Sequence, residues 1–219
     1  MHNTSKSALK KIFKSKLYSS ILEIGSGLQS TVFIYNKLKQ LDNWKFASIE
    51  HNEEWFFKVK KSIDPNNNFS ILKSNFILNN NKFVYDFTTN EKFDLVFIDG
   101  PSKLNESQLS VLSDILKKEN SILKPTNRNG MQSLHILDWV SQFSHNNTIF
   151  ILDGRLNSLI YYMENYKQFD YYHVGTKYDA SIIHSAIYNK KYNDLTSTTV
   201  ILNKNSTMQK IIKNIFNYD

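Results

Sequence analysis

Ile21-Leu22-Glu23-Ile24-Gly25-Ser26-Gly27-Leu28-Gln29-Ser30-Thr31 is the stretch on which the reading of this chain turns. A short apolar run ends in a Gly-x-Gly turn and opens into a helical pattern. A second apolar run, Phe46-Ala47-Ser48-Ile49, then ends on an acid, Glu50. Strand, glycine turn, helix, strand and terminal carboxylate together describe a nucleoside-binding βαβ unit. Glycines let the backbone approach a ligand without a Cβ clash, and a carboxylate can accept two hydrogen bonds from a ribose diol.

The same alternation continues outward from this unit. Ser20–Ile24, Lys45–Glu50, Phe69–Lys73, Phe93–Ile98 and Thr148–Leu152 read as strands. Ser30–Leu41, Glu53–Ile63, Ser107–Lys118, Gly130–Phe143 and Leu156–Tyr166 read as helices, with Asp64-Pro65-Asn66 breaking the second. Asp170–Val174 and Ser197–Leu202 are β-rich with no clear helix between them, which predicts an antiparallel edge hairpin. The last residues read as a short helix. The expected fold is α/β: a doubly wound, mostly parallel seven-stranded sheet. Residues 1–19 should form a basic amphipathic helix packed on the domain, with Leu9, Ile12, Phe13 and Leu17 on its apolar face; a membrane-surface helix is the alternative. Residues 20–219 form the domain itself, with polar, irregular insertions at about 79–90 and 176–196 and the Asn clusters as loop filler.

Composition narrows the chemistry. The 219 residues contain no cysteine, which removes disulfides, thiolate metal sites and cysteine nucleophiles, including cysteine-adduct methylation at C5 of pyrimidines. No stretch approaches the roughly 20 apolar residues of a membrane span, and Met1 to Lys16 lacks a signal-peptide core. A soluble, cytoplasmic protein is expected. The net charge is +7. Either a basic face binds nucleic acid or another polyanion, or lysine is simply abundant; only Arg128 and Arg155 offer the bidentate fork that phosphate readers favour.

Ligands of doubly wound sheets bind outside the carboxyl ends of the strands. Those ends carry Gly25-Ser26-Gly27, Glu50-His51, Ser74-Asn75-Phe76, Asp99-Gly100-Pro101 and Asp153-Gly154-Arg155. Three of the five bear an acid after an apolar run, which points to one shared cleft; a lone acid there is ordinarily a cap or turn former. A dinucleotide fingerprint needs a third glycine, and Ser30 stands in its place.

With Glu23 ahead of the glycines, Leu22–Gly27 resembles the first motif of the class I S-adenosylmethionine-dependent methyltransferases. Ser48-Ile49-Glu50-His51-Asn52-Glu53-Glu54-Trp55 resembles their second motif, and Asp94-Leu95-Val96-Phe97-Ile98-Asp99-Gly100-Pro101 their fourth. The pairing of I-E-H with I-D-G-P is similar to a subgroup of small bacterial methyltransferases, and the likeness spans about Ile21 to Tyr166. It implies a Rossmann-like methyltransferase fold with S-adenosylmethionine as cofactor. Implied cofactor residues are Glu23, Gly25, Ser26, Gly27, Ser30, Thr31, Glu50, His51, Asn75, Phe76 and Asp99. Ser30 and Thr31 equally suit a helix cap. Arg128 and Arg155 match the subgroup's two arginines and are assigned to substrate.

Methyl transfer to a hydroxyl needs positioning and a general base. The candidates are Asp99, Asp153 and His135, the last set in an apolar helical pattern that equally fits a buried structural histidine. Asp99 and Asp153 could instead hold a divalent cation, as in catechol-type O-methyltransferases. Gly154 and Arg155 stand where a third ligand would be, so metal dependence is not favoured. No N/D-P-P-aromatic sequence is present, which removes the amino-methylating signature. Tyr161, Tyr162, Tyr166, Tyr171 and Tyr172 either line an acceptor pocket or pack. The reading favoured is O-methylation of a small molecule or glycan precursor. Alternatives are an RNA or protein methyltransferase using the basic surface, and a non-catalytic nucleoside-binding or partner-binding domain.

Overall fold

The computed structural model describes residues 1, 3–16, 18–63, 66–101, 104–121, 123, 131–174 and 198–218. The chain opens with α1 (Asn3–Ser15), β1 (Ser20–Ile24), α2 (Ser30–Leu38), β2 (Lys45–Glu50), α3 (Glu53–Ser62) and β3 (Phe69–Lys73). A hairpin follows, β4 (Phe76–Asn79) and β5 (Lys82–Tyr85), then β6 (Phe93–Ile98) and α4 (Glu106–Lys118). A 3-10 turn at Met131–Ser133 precedes α5 (Ile136–Ser141), β7 (Ser144–Leu152), α6 (Leu156–Asn165), β8 (Phe169–Val174), β9 (Thr198–Asn203) and α7 (Gln209–Phe216).

Seven strands form one sheet in the order β3-β2-β1-β6-β7-β9-β8. The neighbours from β3 to β7 pair in parallel. β9 inserts antiparallel between β7 and β8. The expected antiparallel pair is thus present, with β8 at the sheet edge.

Alternation along the strands builds two cores. Leu22, Ile24, Val96, Ile98, Phe150 and Leu152 pack with α4, α5 and α6 residues such as Leu112, Leu137 and Tyr162. Ile21, Phe46, Leu95, Phe97, Ile149 and Ile151 face the other way, against Leu9, Ile12, Ile34, Leu38, Val59 and Ile212. Apolar side chains on both faces are the mark of a buried parallel sheet. The apolar face of α1 (Ala8, Leu9, Ile12, Phe13) is buried in the second core, which takes it from any membrane surface. Among the described residues no helix is long and apolar enough to cross a membrane.

Two expectations differ from the structure, and one open alternative is decided by it. Residues 79–90 are not wholly irregular: β4 and β5 pair antiparallel, with Phe83, Val84 and Tyr85 buried. The turn between them is Asn80-Asn81, at φ +49° and +61°. Two consecutive left-handed residues match strand twist in a two-residue hairpin, and Asn tolerates that region well. The helix read over Gly130–Phe143 is shorter, a 3-10 turn and then α5. The tyrosines pack: Tyr162 Oη donates to Ser133 O at 2.5 Å, Tyr171 Oη to Tyr162 O at 2.8 Å, and Tyr161 Oη to Glu119 at 2.9 Å. The insertion at 176–196 lies outside the described residues.

The parallel ladder runs past the strand ends. Gly25 N–H donates to Ile49 O at 2.9 Å, Asp99 N–H to Ile24 O at 2.9 Å, Asp153 N–H to Ile98 O at 3.0 Å and Ser74 N–H to Glu50 O at 3.0 Å. Gly25, Glu50, Asp99 and Asp153 are therefore brought to one edge in fixed register.

Phe97 is fully buried on the central strand β6. Phe97→Ala should cost about 3–5 kcal/mol of unfolding free energy. The midpoint of urea denaturation measures it, and a loss below about 1 kcal/mol would contradict the core described here.

Candidate active site

A cavity of about 570 Å³ opens at the carboxyl edge, within the range of small-ligand sites. Gly25, Ser26, Gly27, Leu28, Gln29 and Ser30 from the β1–α2 turn line one wall. Glu50 and Trp55 come from β2 and α3, Asp99, Gly100 and Pro101 from the end of β6, and Met1 and Arg155 complete it. Of the residues expected there, Gly25, Ser26, Gly27, Ser30, Glu50, Asp99 and Arg155 meet at this pocket.

Glu23 and Thr31 lie beneath the glycine turn and off its surface. Glu23 is fully buried, and its Oε2 accepts hydrogen bonds from Thr31 Oγ1 and Ser48 Oγ, both at 2.6 Å. Thr31 Oγ1 also accepts the Gly27 N–H at 2.9 Å, and Ser48 Oγ lies 2.6 Å from Ser26 Oγ. One buried carboxylate thus holds both sides of the turn through two hydroxyls. Burial pushes its pKa up to about 7 against the pull of those hydrogen bonds, and the Asp99 charge adds to the rise.

Glu50 is buried at the end of β2. Its Oε1 accepts the Asn52 N–H at 2.7 Å and stands 3.1 Å from His51 Nδ1. Asn52 in turn caps α3, its Oδ1 accepting the Trp55 N–H at 3.0 Å. The cap that starts α3 therefore also fixes the carboxylate. The His51 ring leans on Phe76 and Tyr85. Phe76 is stacked on Phe83, and Asn75 is bound to Asp86 through its N–H at 2.7 Å and its amide at 2.8 Å. These three residues border the hairpin and do not line the cavity.

Asp99 and Asp153 end neighbouring strands, and cations gather on them. The Met1 ammonium lies 3.5 Å from Asp99 Oδ2 and 3.8 Å from Asp153 Oδ2. Arg155 Nη2 is 3.8 Å from Asp99 Oδ1. The same guanidinium donates to Asp99 O, and to Pro101 O at 3.3 Å. Ser5 Oγ donates to Asp153 Oδ1 and touches Thr198 Oγ1. Burial first, then the Asp153 charge, push the Asp99 pKa up to about 7, while the Met1 ammonium and Arg155 pull it down. Asp153 is buried behind Asp99 and off the pocket wall.

His135 does not reach this place. It is buried, its Nδ1 accepts the Phe83 N–H at 2.9 Å, and its ring meets Tyr161 edge-on. Burial lowers its pKa to about 4, so it is neutral at physiological pH. Arg128 lies outside the described residues. The sequence reading gave no role to Trp55, Ser5 or Met1. Trp55 had a signal as the last residue of the second-motif match, Ser48–Trp55; Met1 and Ser5 arrive through the packing of α1, which no local pattern encodes.

Two carboxylates are a short donor set for a divalent cation. Gly154 adds no side chain, Ser5 takes one Asp153 oxygen, and among the described residues no group of three His, Cys, Asp or Glu is placed to hold a metal. The residues present do not fit such an ion. They fit S-adenosylmethionine better: a glycine-walled cavity of nucleoside size with an anchored acid beside it.

The folded pKa of Glu23, about 7, lies above the ordinary 4.5. Its contribution to stability is fully present below about 4.5 and is lost as pH rises through about 7, up to about 3 kcal/mol. Asp99 titrates with the same sign, so the test compares variants. Between pH 5 and 8, Glu23→Gln should lose less unfolding free energy than wild type; parallel curves would sink this account.

No protein-family model and no curated protein sequence matches the chain. Solved structures do match in shape. An O-methyltransferase from Bacillus cereus in complex with SAH superposes with a TM-score of 0.58 at 13% identity, covering 93% of this chain and 82% of its own. Cofactor-bound Rv0187 from MTB gives 0.53 at 11% identity, covering 93% and 82%. The O-methyltransferase TomG from Streptomyces achromogenes, involved in tomaymycin synthesis and bound to SAM, gives 0.50 at 13% identity, covering 93% and 81%. The chain has the class I S-adenosylmethionine-dependent methyltransferase fold.

Proposed function

We propose that this protein is an S-adenosylmethionine-dependent methyltransferase that methylates a hydroxyl of a small molecule or glycan precursor. One observation carries the reading: a single cavity holds the Gly25-Ser26-Gly27 turn, the anchored Glu50 and, at the next strand end, Asp99. The likeness in fold to SAM- and SAH-bound O-methyltransferases supports it.

Bound S-adenosylmethionine supplies a methyl group already activated on a sulfonium. The protein must then hold two partners in line and remove a proton. Glu50, fixed at Oε1, offers its other oxygen to a ribose hydroxyl. Gly25 and Gly27 give a wall without side chains to the methionine half, and Trp55 adds an aromatic face to the same cavity. Asp99 is the general base. Its raised pKa places it near the operating pH, where a carboxylate is both ionised and a useful proton acceptor. Burial, and after it the neighbouring Asp153, keep that pKa high. Arg155, bound to the carbonyls of Asp99 and Pro101, holds the loop on which the base stands.

Titration calorimetry tests the cofactor. SAH should bind wild type with a micromolar Kd, and Glu50→Gln should weaken it about tenfold, as expected for loss of a hydrogen bond to a charged group. No binding to wild type would return the chain to a non-catalytic domain. Once an acceptor hydroxyl is found, kcat/KM should rise with pH to a plateau, with a midpoint near 7 as Asp99 loses its proton. Asp99→Asn should lower kcat about 10²–10⁴-fold while SAH affinity stays within a few-fold. A flat pH profile, or an active Asp99→Asn enzyme, would remove Asp99 as base.

A further inference from the structure

A second cavity, of about 590 Å³, lies at the other end of the sheet. Ser7, Lys10, Lys11, Phe13, Lys14 and Lys16 of α1 and its C-terminal end line it, with Tyr18 on the way to β1. Lys37, Gln40 and Leu41 face them from the end of α2. α1 runs from the Met1 side of the cofactor pocket down to the start of β1, so its 13 residues span about 20 Å at 1.5 Å each. α2 likewise starts at the glycine turn and ends where the chain heads for β2. Both helix ends therefore sit at the amino edge of the strands, away from the first pocket.

Five of the ten lining residues are lysine, while the chain as a whole has 25 lysines in 219 residues. Composition alone predicts about one. All five are exposed, no acid lines the groove, and none of the five forms an ion pair with a described residue. Lysines do complement helix C-termini, but each such end carries only about half a negative charge. Two ends offset about one of the five positive charges. The remainder is a concave positive field with an aromatic floor, Phe13 and Tyr18, whose rings lie 4.7 Å apart.

We propose that this groove binds a small, multiply phosphorylated anion, a polyphosphate or a polyphosphate-bearing metabolite, at a site separate from the cofactor pocket. Ammonium groups act as point charges toward phosphate and do not need a planar partner. Against the roughly four charges left, one phosphate monoester carries about −1.5 to −2 and would balance half at most, whereas two or three linked phosphoryl groups match the field. Ser7 and Gln40 add neutral hydrogen-bonding groups between the ammoniums. A nucleic-acid acceptor fits less well. Its methylated group would have to reach the cofactor pocket at the opposite edge, where Arg155 is the one cationic side chain on the described wall and is already bound to backbone carbonyls.

Inorganic tripolyphosphate, titrated calorimetrically into the full chain at low and high salt, tests the proposal. One site per chain is expected, with affinity falling as salt rises. Lys10→Gln/Lys14→Gln/Lys37→Gln should weaken binding at least about tenfold. Lys60→Gln/Lys61→Gln/Lys118→Gln removes the same charge from exposed positions elsewhere and should change it by less than about threefold. SAH affinity and the far-UV spectrum should be unchanged in both, which keeps this result distinct from the cofactor assignment. Should the triple groove variant not fold, Lys37→Gln read against Lys118→Gln gives the same comparison. No binding by wild type, or equal weakening in both variants, would overturn the site. Groove-dependent binding of a single-stranded oligonucleotide or of phosphatidylserine vesicles tighter than tripolyphosphate would overturn it in favour of nucleic acid or a membrane.

Discussion

A Cβ on Gly25 would stand 2.4 Å from Gly100 Cα, and one on Gly100 would stand 2.5 Å from Gly25 Cα. The turns leaving β1 and β6 thus meet backbone to backbone, with no room for a side chain on either. Gly25 also sits at φ +88°, in the region that favours glycine. This contact draws Asp99 up beside the Gly25–Gly27 turn and makes one cavity of two strand ends. From below, Glu23 braces the same turn through Thr31 and Ser48. A buried carboxylate is a costly brace, and its raised pKa is the visible sign of that cost. Neutral hydroxyls alone could not take two charge-assisted hydrogen bonds from opposite sides of the turn.

The acid pair next door follows the same logic with different partners. Burial first, and then the Asp153 carboxylate at the neighbouring strand end, raise the Asp99 pKa, and the Met1 ammonium and Arg155 offset the rise only in part. The two differ in exposure: Asp153 is buried and held by Ser5, whereas Asp99 is partly open to the pocket. Arg155 acts on geometry as well as charge, because its guanidinium spans two carbonyls of the Asp99–Pro101 loop. A lysine there would keep the charge and lose the fork.

Much of this was legible in the residues. β1, β2, β3 and β6 announce themselves as apolar runs that end in glycine or acid, and the register of a parallel sheet does the rest, carrying Gly25, Glu50 and Asp99 to one edge. What local pattern hides is direction. Glu23 reads as a pocket residue by its place in the motif, yet strand alternation turns it with Ile21 toward the α2 layer, under the turn. Asn75 and Phe76 sit at a strand end too, but the hairpin of β4 and β5 takes them up. The hairpin had a signal: Asn80-Asn81 between Phe76-Ile77-Leu78 and Phe83-Val84-Tyr85 is a two-residue turn, easily mistaken for loop filler in a chain rich in asparagine. The delivery of Ser5 to Asp153 and to Thr198 is a long-range event, across sequence separations of 148 and 193, and the insertion of β9 between β7 and β8 is another. No window of sequence contains them.

The charge of the chain is organised along α1. Its amino end, where a helix carries partial positive charge, lies at the Asp99–Asp153 pair; its carboxyl end, partially negative, lies among lysines. Each end is matched to the side chains around it, so the helix is electrostatically satisfied in one orientation and opposed in the other. Among the described residues the charge is therefore not a uniform coat. The amino edge of the sheet is cationic, and the carboxyl edge pairs its acids with a few specific cations around a pocket of near-balanced charge. The fold keeps the two about one helix length apart.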